Sequence, residues 1–331
     1  MIATIPSAGV SRPEVTSDTL RGGESLPCLT SRAAAGRLAG GDVGVPEIAF
    51  LNGQFVPLGE ARVSVNDRGF LFGDGIYEVL VGYGGRLWAV DRHWRRLARS
   101  LREVGIDGVD LEALRRLMHT AVDRAGYASP LVHLQITRGE APRRHDWDRH
   151  ELVPTILITV REARLDPARQ AAGVSCITHP DLRWSRCDIK TINLLPNVMA
   201  KQKAHLAAAH EAILVRDDGT VSEGSSSAIG VVQDGTVRIH PRNQSVLPSI
   251  TSDLAAELAA DLGIPWLEEP VTLTALRAAD EVFLCSTTSE VLGVVAVDRK
   301  PIADQQVGPV TARLGAAYRE AVLAGSDTLR S

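Results

Sequence analysis

The sequence predicts an α+β protein built in two parts, and three observations carry that reading. Residues 48–160 mix strand-like segments with two amphipathic helices. A polar stretch, 161–169, contains Pro167 and shows no period, as a linker would. A second series of strands and helices then begins at Val174.

The first part opens on a hairpin. Ala49–Leu51 and Gln54–Val56 flank Asn52-Gly53, the pair that suits a two-residue turn with positive φ. Asp91 is placed to cap a helix whose apolar stripe is Trp94, Leu97, Leu101 and Val104, stopped by Gly105. Asp110 caps a second, with Leu111, Leu114, Met118 and Val122, ending near Gly126. Leu131–Thr137 and Thr155–Val160 are rich in β-formers and read as strands.

In the second part Val174–Thr178 is a strand and the Ala-rich Asn197–Glu211 a helix. Ala212–Arg216, Ile229–Gln233 and Val237–His240 are strands, with turns at Asp217-Asp218-Gly219 and Asp234-Gly235. Ser252–Leu262 is a helix closed by Gly263, Glu281–Cys285 and Val291–Val297 are strands, and Val310–Ala324 is a terminal helix. Residues 1–47 differ from everything else: rich in Ser, Thr, Ala, Gly and Arg, and without period, they read as a disordered extension. Glu14, Asp18, Glu24 and Asp42 weigh against an organelle transit peptide, and a start codon set too far upstream accounts for the stretch as well. The domains expected are thus 48–163, small, and 164–325, large.

With 331 residues, 23% charged and 44% hydrophobic, the composition is that of a globular protein large enough to bury a substantial core. A net charge of −4 excludes a basic balance suited to nucleic acid, and no run of about 18 apolar residues is present. The four cysteines, Cys28, Cys176, Cys187 and Cys285, are far apart without a CxxC, which fits neither a disulfide framework nor a cysteine zinc site and suits the cytoplasm. The pairs His145/His150 and His205/His210 are five apart, off the i, i+4 spacing of a helical metal site, so no metal is inferred.

Lysine is the informative residue type. Only Lys190, Lys201, Lys203 and Lys300 occur against 32 arginines, and only a lysine amine can act as a nucleophile. Lys190 lies among apolar neighbours in Asp188-Ile189-Lys190-Thr191-Ile192, either poised for chemistry or paired with Asp188; the other three read as solvated. Glu223, in Ser222-Glu223-Gly224-Ser225-Ser226-Ser227 before a strand, is a site carboxylate or a turn residue. Ser286-Thr287 at a strand's end and Leu247 to Ser252 at a helix start offer hydroxyls and free N–H groups to an anion. Arg96 is not separable from Arg92, Arg95 or Arg99 by periodicity, Arg143-Arg144-His145 is a basic patch or an anion clamp, and Tyr77 by type belongs in a core.

Taken in order, Asp67-Arg68-Gly69 with Phe72-Gly73-Asp74-Gly75, His93 with Arg96-Leu97, Lys190 with Asn193-Leu194, Glu223-Gly224 and Ile250-Thr251 resemble the pyridoxal-phosphate aminotransferases of fold type IV, class IV. The resemblance runs from about Ile48 to about Ala324 and implies a two-domain fold with a pseudo-barrel in the larger, C-terminal domain. It implies pyridoxal 5'-phosphate as cofactor, with Lys190 as Schiff-base lysine and proton shuttle and Glu223 on the pyridine nitrogen. Arg96, Ile250, Thr251, Ser286 and Thr287 would bind the phosphate, and Leu247 would pack on the ring.

Thr137-Arg138-Gly139 followed by Pro142-Arg143-Arg144-His145 is similar to the carboxylate loop of D-amino-acid aminotransferases. There Arg143 and His145 would reach the other subunit of a homodimer and meet Tyr77. The implied reaction is ping-pong transfer from a D-amino acid such as D-alanine to a 2-oxo acid. A branched-chain L-amino-acid aminotransferase and aminodeoxychorismate lyase share the framework, and a Ser–Lys hydrolase using Ser225–Ser227 needs no cofactor. Ser249 stands where the family commonly has glycine; if that position requires positive φ, the phosphate cup is distorted.

Overall fold

The computed structural model describes residues 48–148, 152–164 and 166–325. The expectations for residues 1–47, for Cys28 and for His150 lie outside them.

The elements run β1 (Ile48–Leu51), β2 (Gln54–Pro57), α1 (Arg68–Phe72), β3 (Gly75–Tyr83), β4 (Arg86–Leu87), α2 (Val90–Val104), α3 (Leu111–Ala125), β5 (Pro130–Thr137) and β6 (Thr155–Glu162). Six strands form an antiparallel sheet in the order β2-β1-β6-β5-β3-β4. Asn52 and Gly53 both have positive φ, 45° and 96°, which is the turn their types predict. Helices α2 and α3 pack a core of Trp94, Leu97, Leu101, Leu114 and Met118 onto Ile76, Leu80, Val132 and Leu134 of the sheet. Asp110 accepts from the N–H groups of Glu112 and Ala113, as expected of a cap. Asp91 does not cap α2. The N-cap is Ala89, in the left-handed region at φ 53°, while Asp91 sits in the first turn and pairs with Arg115 at 2.7 Å.

There follow α4 (Pro167–Ala172), β7 (Val174–Pro180), α5 (Leu195–Leu206), β8 (Glu211–Val215), β9 (Thr220–Gly224), β10 (Ala228–Gln233), β11 (Thr236–Ile239) and α6 (Ile250–Asp261). The chain ends in β12 (Trp266–Glu268), β13 (Val271–Thr272), α7 (Leu273–Arg277), β14 (Glu281–Ser286), β15 (Glu290–Val297), β16 (Lys300–Pro301) and α8 (Pro309–Ala324). The second sheet has the order β12-β11-β10-β14-β15-β7-β8-β9-β13, with β16 on β15. Strands β9 and β10 lie far apart in that order, yet only Ser225–Ser227 joins them, and Gly224 N donates to Ser227 O at 2.6 Å. The sheet must therefore curl back on itself into a half-barrel. One face packs on α6 and α8 through Leu254, Leu258, Leu314 and Tyr318. A second cluster holds Ile213, Val231, Leu284 and Leu292, and a smaller one packs Ala200 and Ala204 of α5 on Ala212 and Leu214 of β8.

Three further expectations change. Pro167 does not mark a linker: it opens α4, capped by Asp166, whose carboxylate accepts from Arg169 N at 3.0 Å. The Ala-rich helix is Leu195–Leu206, because Glu211 is drawn into β8 between β7 and β9, and strand pairing overrides helix propensity. Glu223 is not a turn residue: it lies within β9, and the expected strand, β10, follows after Ser225–Ser227.

Candidate active site

Lys190 follows a loop held to α2 at several points. Arg99 donates to the Asp188 carbonyl at 2.7 Å and to its carboxylate, and Lys190 N donates to Ser100 Oγ at 3.4 Å. Asp188 is thereby engaged by Arg99 and Arg186, and among the described residues no carboxylate forms an ion pair with Lys190. The pairing of Lys190 with Asp188 is thus excluded. The Lys190 ammonium instead stands 4.3 Å from the centroid of the Tyr77 ring, and Tyr77 N donates to Lys190 O at 3.0 Å.

A cavity of about 780 Å³ opens beside Lys190, within the size range of small-ligand sites. Tyr77, Arg96, Lys190, Glu223, Leu247, Ile250, Thr251, Ser286 and Thr287 all line it. Tyr77, expected in a core, comes from β3 in the six-stranded sheet and Arg96 from α2; Glu223 and Ser286 belong to the second sheet, Ile250 and Thr251 to α6, and Lys190, Leu247 and Thr287 to loops. Arg143 and His145 do not line this chain's cavity. They are exposed, on a loop beside Phe72, whose ring centroid lies 5.3 Å from the Arg143 guanidinium and 5.5 Å from the His145 ring.

Burial separates Arg96 from its neighbours on the helix. Its Nε and Nη2 donate to the Glu78 carboxylate at 2.7 and 2.9 Å, and its Nη1 to Pro248 O at 2.7 Å. Glu78 is fully buried and also meets His93 Nδ1 at 2.8 Å. Burial alone would push the Glu78 carboxyl up, but the Arg96 charge and the bonds from Arg96 and His93 hold it well below the usual carboxylate range. An arginine has five N–H donors, so these bonds leave about two for an anion in the cavity. At the start of α6, Ser249 Oγ accepts from Ser252 N at 3.2 Å and its carbonyl from Asp253 N at 3.0 Å. The N–H groups of Ile250 and Thr251 find no acceptor within the helix and carry its positive dipole end. Ser249 has φ −81°, so no glycine is required there and the expected distortion of the cup does not occur.

Glu223 is held from the opposite side. Arg183 Nη1 donates to Glu223 Oε1, and Leu247 N to the same carboxylate at 3.2 Å. Arg183 is itself clamped by Asp181, with two bonds of 2.8 Å, and donates to Ser245 O at 3.1 Å. Burial pushes the Glu223 carboxyl up, and Arg183 opposes that shift. The hydroxyls of Ser225, Ser226 and Ser227 donate to Glu211, not to Lys190, which removes the Ser–Lys dyad. Lys201 is not simply solvated: it lines the cavity and donates to His210 O at 2.5 Å, with Glu211 at 3.4 Å.

Sequence reasoning missed Arg183 and Glu78. Arg183 lies on the approach to Lys190, and Glu78 follows Tyr77 on β3, where alternation sends the two side chains to opposite faces of the sheet. The polar residues His93, Arg96 and Ser100, at i, i+3 and i+7, were the available signal that one side of α2 faces a polar site.

A lysine amine without a carboxylate partner, a buried carboxylate and an anion cup around one cavity suit an amine enzyme that condenses with a carbonyl and holds a phosphorylated group. The family model for class IV amino-transferases matches residues 75–297, and the chain belongs to that family. It is 42% identical over 269 residues to D-alanine aminotransferase of Staphylococcus aureus (strain MSSA476), covering 81% of this chain and 95% of the relative. It is 40% identical over 281 residues to D-alanine aminotransferase of Bacillus licheniformis, covering 85% and 98%. The fold resembles that of the branched-chain aminotransferase from the archaeon Thermoproteus uzoniensis with norvaline: TM-score 0.76, 26% identity, 85% of this chain and 96% of that one. The donor set fits pyridoxal phosphate, the family's cofactor, because Arg96, with N–H groups beyond its three bonds, the start of α6 and the hydroxyls of Ser286 and Thr287 line one cavity together with Glu223.

Proposed function

We propose that this enzyme transfers the amino group of a D-amino acid, D-alanine foremost, to a 2-oxo acid by a ping-pong cycle. The carrying observation is that Lys190 and Glu223 line one cavity in a chain about 40% identical to D-alanine aminotransferases over most of its length. When bound, pyridoxal phosphate supplies an aldehyde and an electron-withdrawing ring. Lys190 anchors the cofactor and its Nζ moves the proton at the substrate Cα. Glu223, kept in place by Arg183 and Leu247 N, retains the proton on the ring nitrogen. Arg96, the α6 N–H groups, Ser286 and Thr287 hold the phosphate, and Leu247 packs on the ring.

Arg143 and His145 take the substrate carboxylate in the neighbouring subunit of a homodimer, each copy completing the other's cavity near Tyr77. Their exposure, together with exposed Phe70, Val65 and Trp147 nearby in the chain, supports a covered face there. The two parts of the chain, 48–163 and 164–325, act as small and large domains with the site between them. A cytoplasmic location agrees with buried, unpaired Cys176, Cys187 and Cys285.

The test is a panel of D- and L-amino donors with 2-oxoglutarate or pyruvate as acceptor. D-alanine turnover with little from L-leucine is expected; the reverse preference overturns the D reading. Arg143→Ala should raise the D-alanine KM at least tenfold, and an unchanged KM removes the carboxylate role.

A further inference from the structure

Asp67-Arg68-Gly69 and Asp74 take no part in the chemistry above, yet Asp67 and Arg68 are buried and Asp74 is largely so. We infer that Arg68, braced by Asp74, is the positioning residue that sets the Arg143/His145 loop for the substrate carboxylate. This rests on the carboxylate reading given under Proposed function.

The geometry is specific to the loop. Arg68 Nη1 donates to Arg144 O at 2.6 Å and Nη2 to His145 O at 3.1 Å, so one planar guanidinium bridges two successive carbonyls within the Arg143–His145 segment. Its Nε donates to Asp74 Oδ2 at 2.8 Å, which fixes the direction of the fork. Arg68 also lies 5.0 Å from the Phe72 ring centroid, and Phe72 is the ring that Arg143 and His145 approach from outside. The loop's own side chains are exposed while its backbone is gripped from a buried site.

Asp74 does more than pair Arg68. Arg138 donates to it through Nε and Nη2 at 2.8 and 2.9 Å, and to the carbonyls of Gly105 and Val104 at the end of α2 at 2.7 and 2.8 Å. The carboxylate therefore ties the loop to the helix that carries Arg96. Arg68 and Arg138 share the Asp74 carboxylate, and Asp146, the helix-end carbonyls, the loop carbonyls and the faces of Phe72 and Trp147 complete the surroundings of the two guanidiniums. The loop's entry is equally constrained. Gly139 has φ +98°, a Cβ there would stand 2.0 Å from Val153 O, and its carbonyl accepts from Arg68 N at 2.9 Å. Burying two arginines and an aspartate under an exposed loop costs desolvation, and a loop free to move would not need it.

The experiment compares Arg68→Lys and Asp74→Asn in the full chain loaded with cofactor, alone and on an Arg143→Ala background. Lysine keeps the charge but cannot bridge both carbonyls. Each single variant should raise the D-alanine KM about tenfold, with kcat within twofold and cofactor content unchanged. On the Arg143→Ala background neither should raise it further. An unchanged KM in Arg68→Lys overturns the inference, as does a tenfold rise that persists on the Arg143→Ala background. Should Asp74→Asn fail to fold, Arg68→Lys decides alone. If Arg143→Ala itself leaves the D-alanine KM unchanged, the carboxylate reading falls and takes this inference with it. If Arg143→Ala raises it and Arg68→Lys does not, this inference alone falls.

Discussion

Arg183 donates to Glu223 from within the cavity wall while its other nitrogens are clamped by Asp181, so this cavity-lining carboxylate is one end of a buried Asp–Arg–Glu chain. The arrangement explains how a carboxyl that burial pushes up keeps a permanent positive neighbour, and why it stays aimed at the cavity.

Breaking that chain should be costly. Arg183→Met leaves Glu223 and Asp181 buried without their cation, and a loss of about 3–5 kcal/mol in stability is expected by urea denaturation. A change under about 1 kcal/mol would mean the charges are solvated in a way the geometry does not allow.

On the proposed mechanism Lys190 has no substitute among the residues that line the cavity. Lys201 also reaches the cavity, but its amine is bonded to His210 O and pairs with Glu211. Lys190→Arg should therefore lower transamination by about 10²–10⁴-fold or more while the fold, followed by circular dichroism, is kept. Retention of a tenth of the activity would reassign the amine.

Glu78 makes a pH-dependent contribution of known sign. Its carboxyl is held below the usual range in the folded state, so its stabilisation is complete above about pH 4.3, the unfolded value, and is lost as pH falls toward the folded one. The Tm difference between the native protein and Glu78→Gln should narrow below about pH 4. A gap that widens in acid would contradict the ion pair with Arg96.

Ser249 works as an N-cap in its present conformation. Ser249→Ala should cost about 1 kcal/mol, and Ser249→Gly only a few tenths, since glycine is tolerated at an N-cap. Equal losses in thermal denaturation would show that the hydroxyl does not cap α6.

Much of this was readable from residue order. The Asn-Gly hairpin, the Asp110 cap, the stripes of α2 and α3 and most strands follow from local rules, because period and turn chemistry act within a few residues. The second sheet's curl did not, since it depends on which distant strands pair. Strand β3 was missed because its apolar run is interrupted by Tyr77 and Glu78, whose partners Lys190, His93 and Arg96 are remote in sequence. Arg96 could not be told from Arg92, Arg95 and Arg99 for the same reason: its burial is set by Glu78 on another element.

The amino-acid order alone sufficed for the class of chemistry: four lysines, one of them in an apolar setting, and an ordered set of short motifs point to an amine enzyme before any coordinate is known. Folding was needed to choose the partners. Whether Lys190 faces Asp188 or Tyr77, and whether the serines serve Lys190 or Glu211, depends on long-range packing between two sheets and the helices against them. Those contacts join groups far apart along the chain, and no local pattern encodes which of several like charges will be buried together.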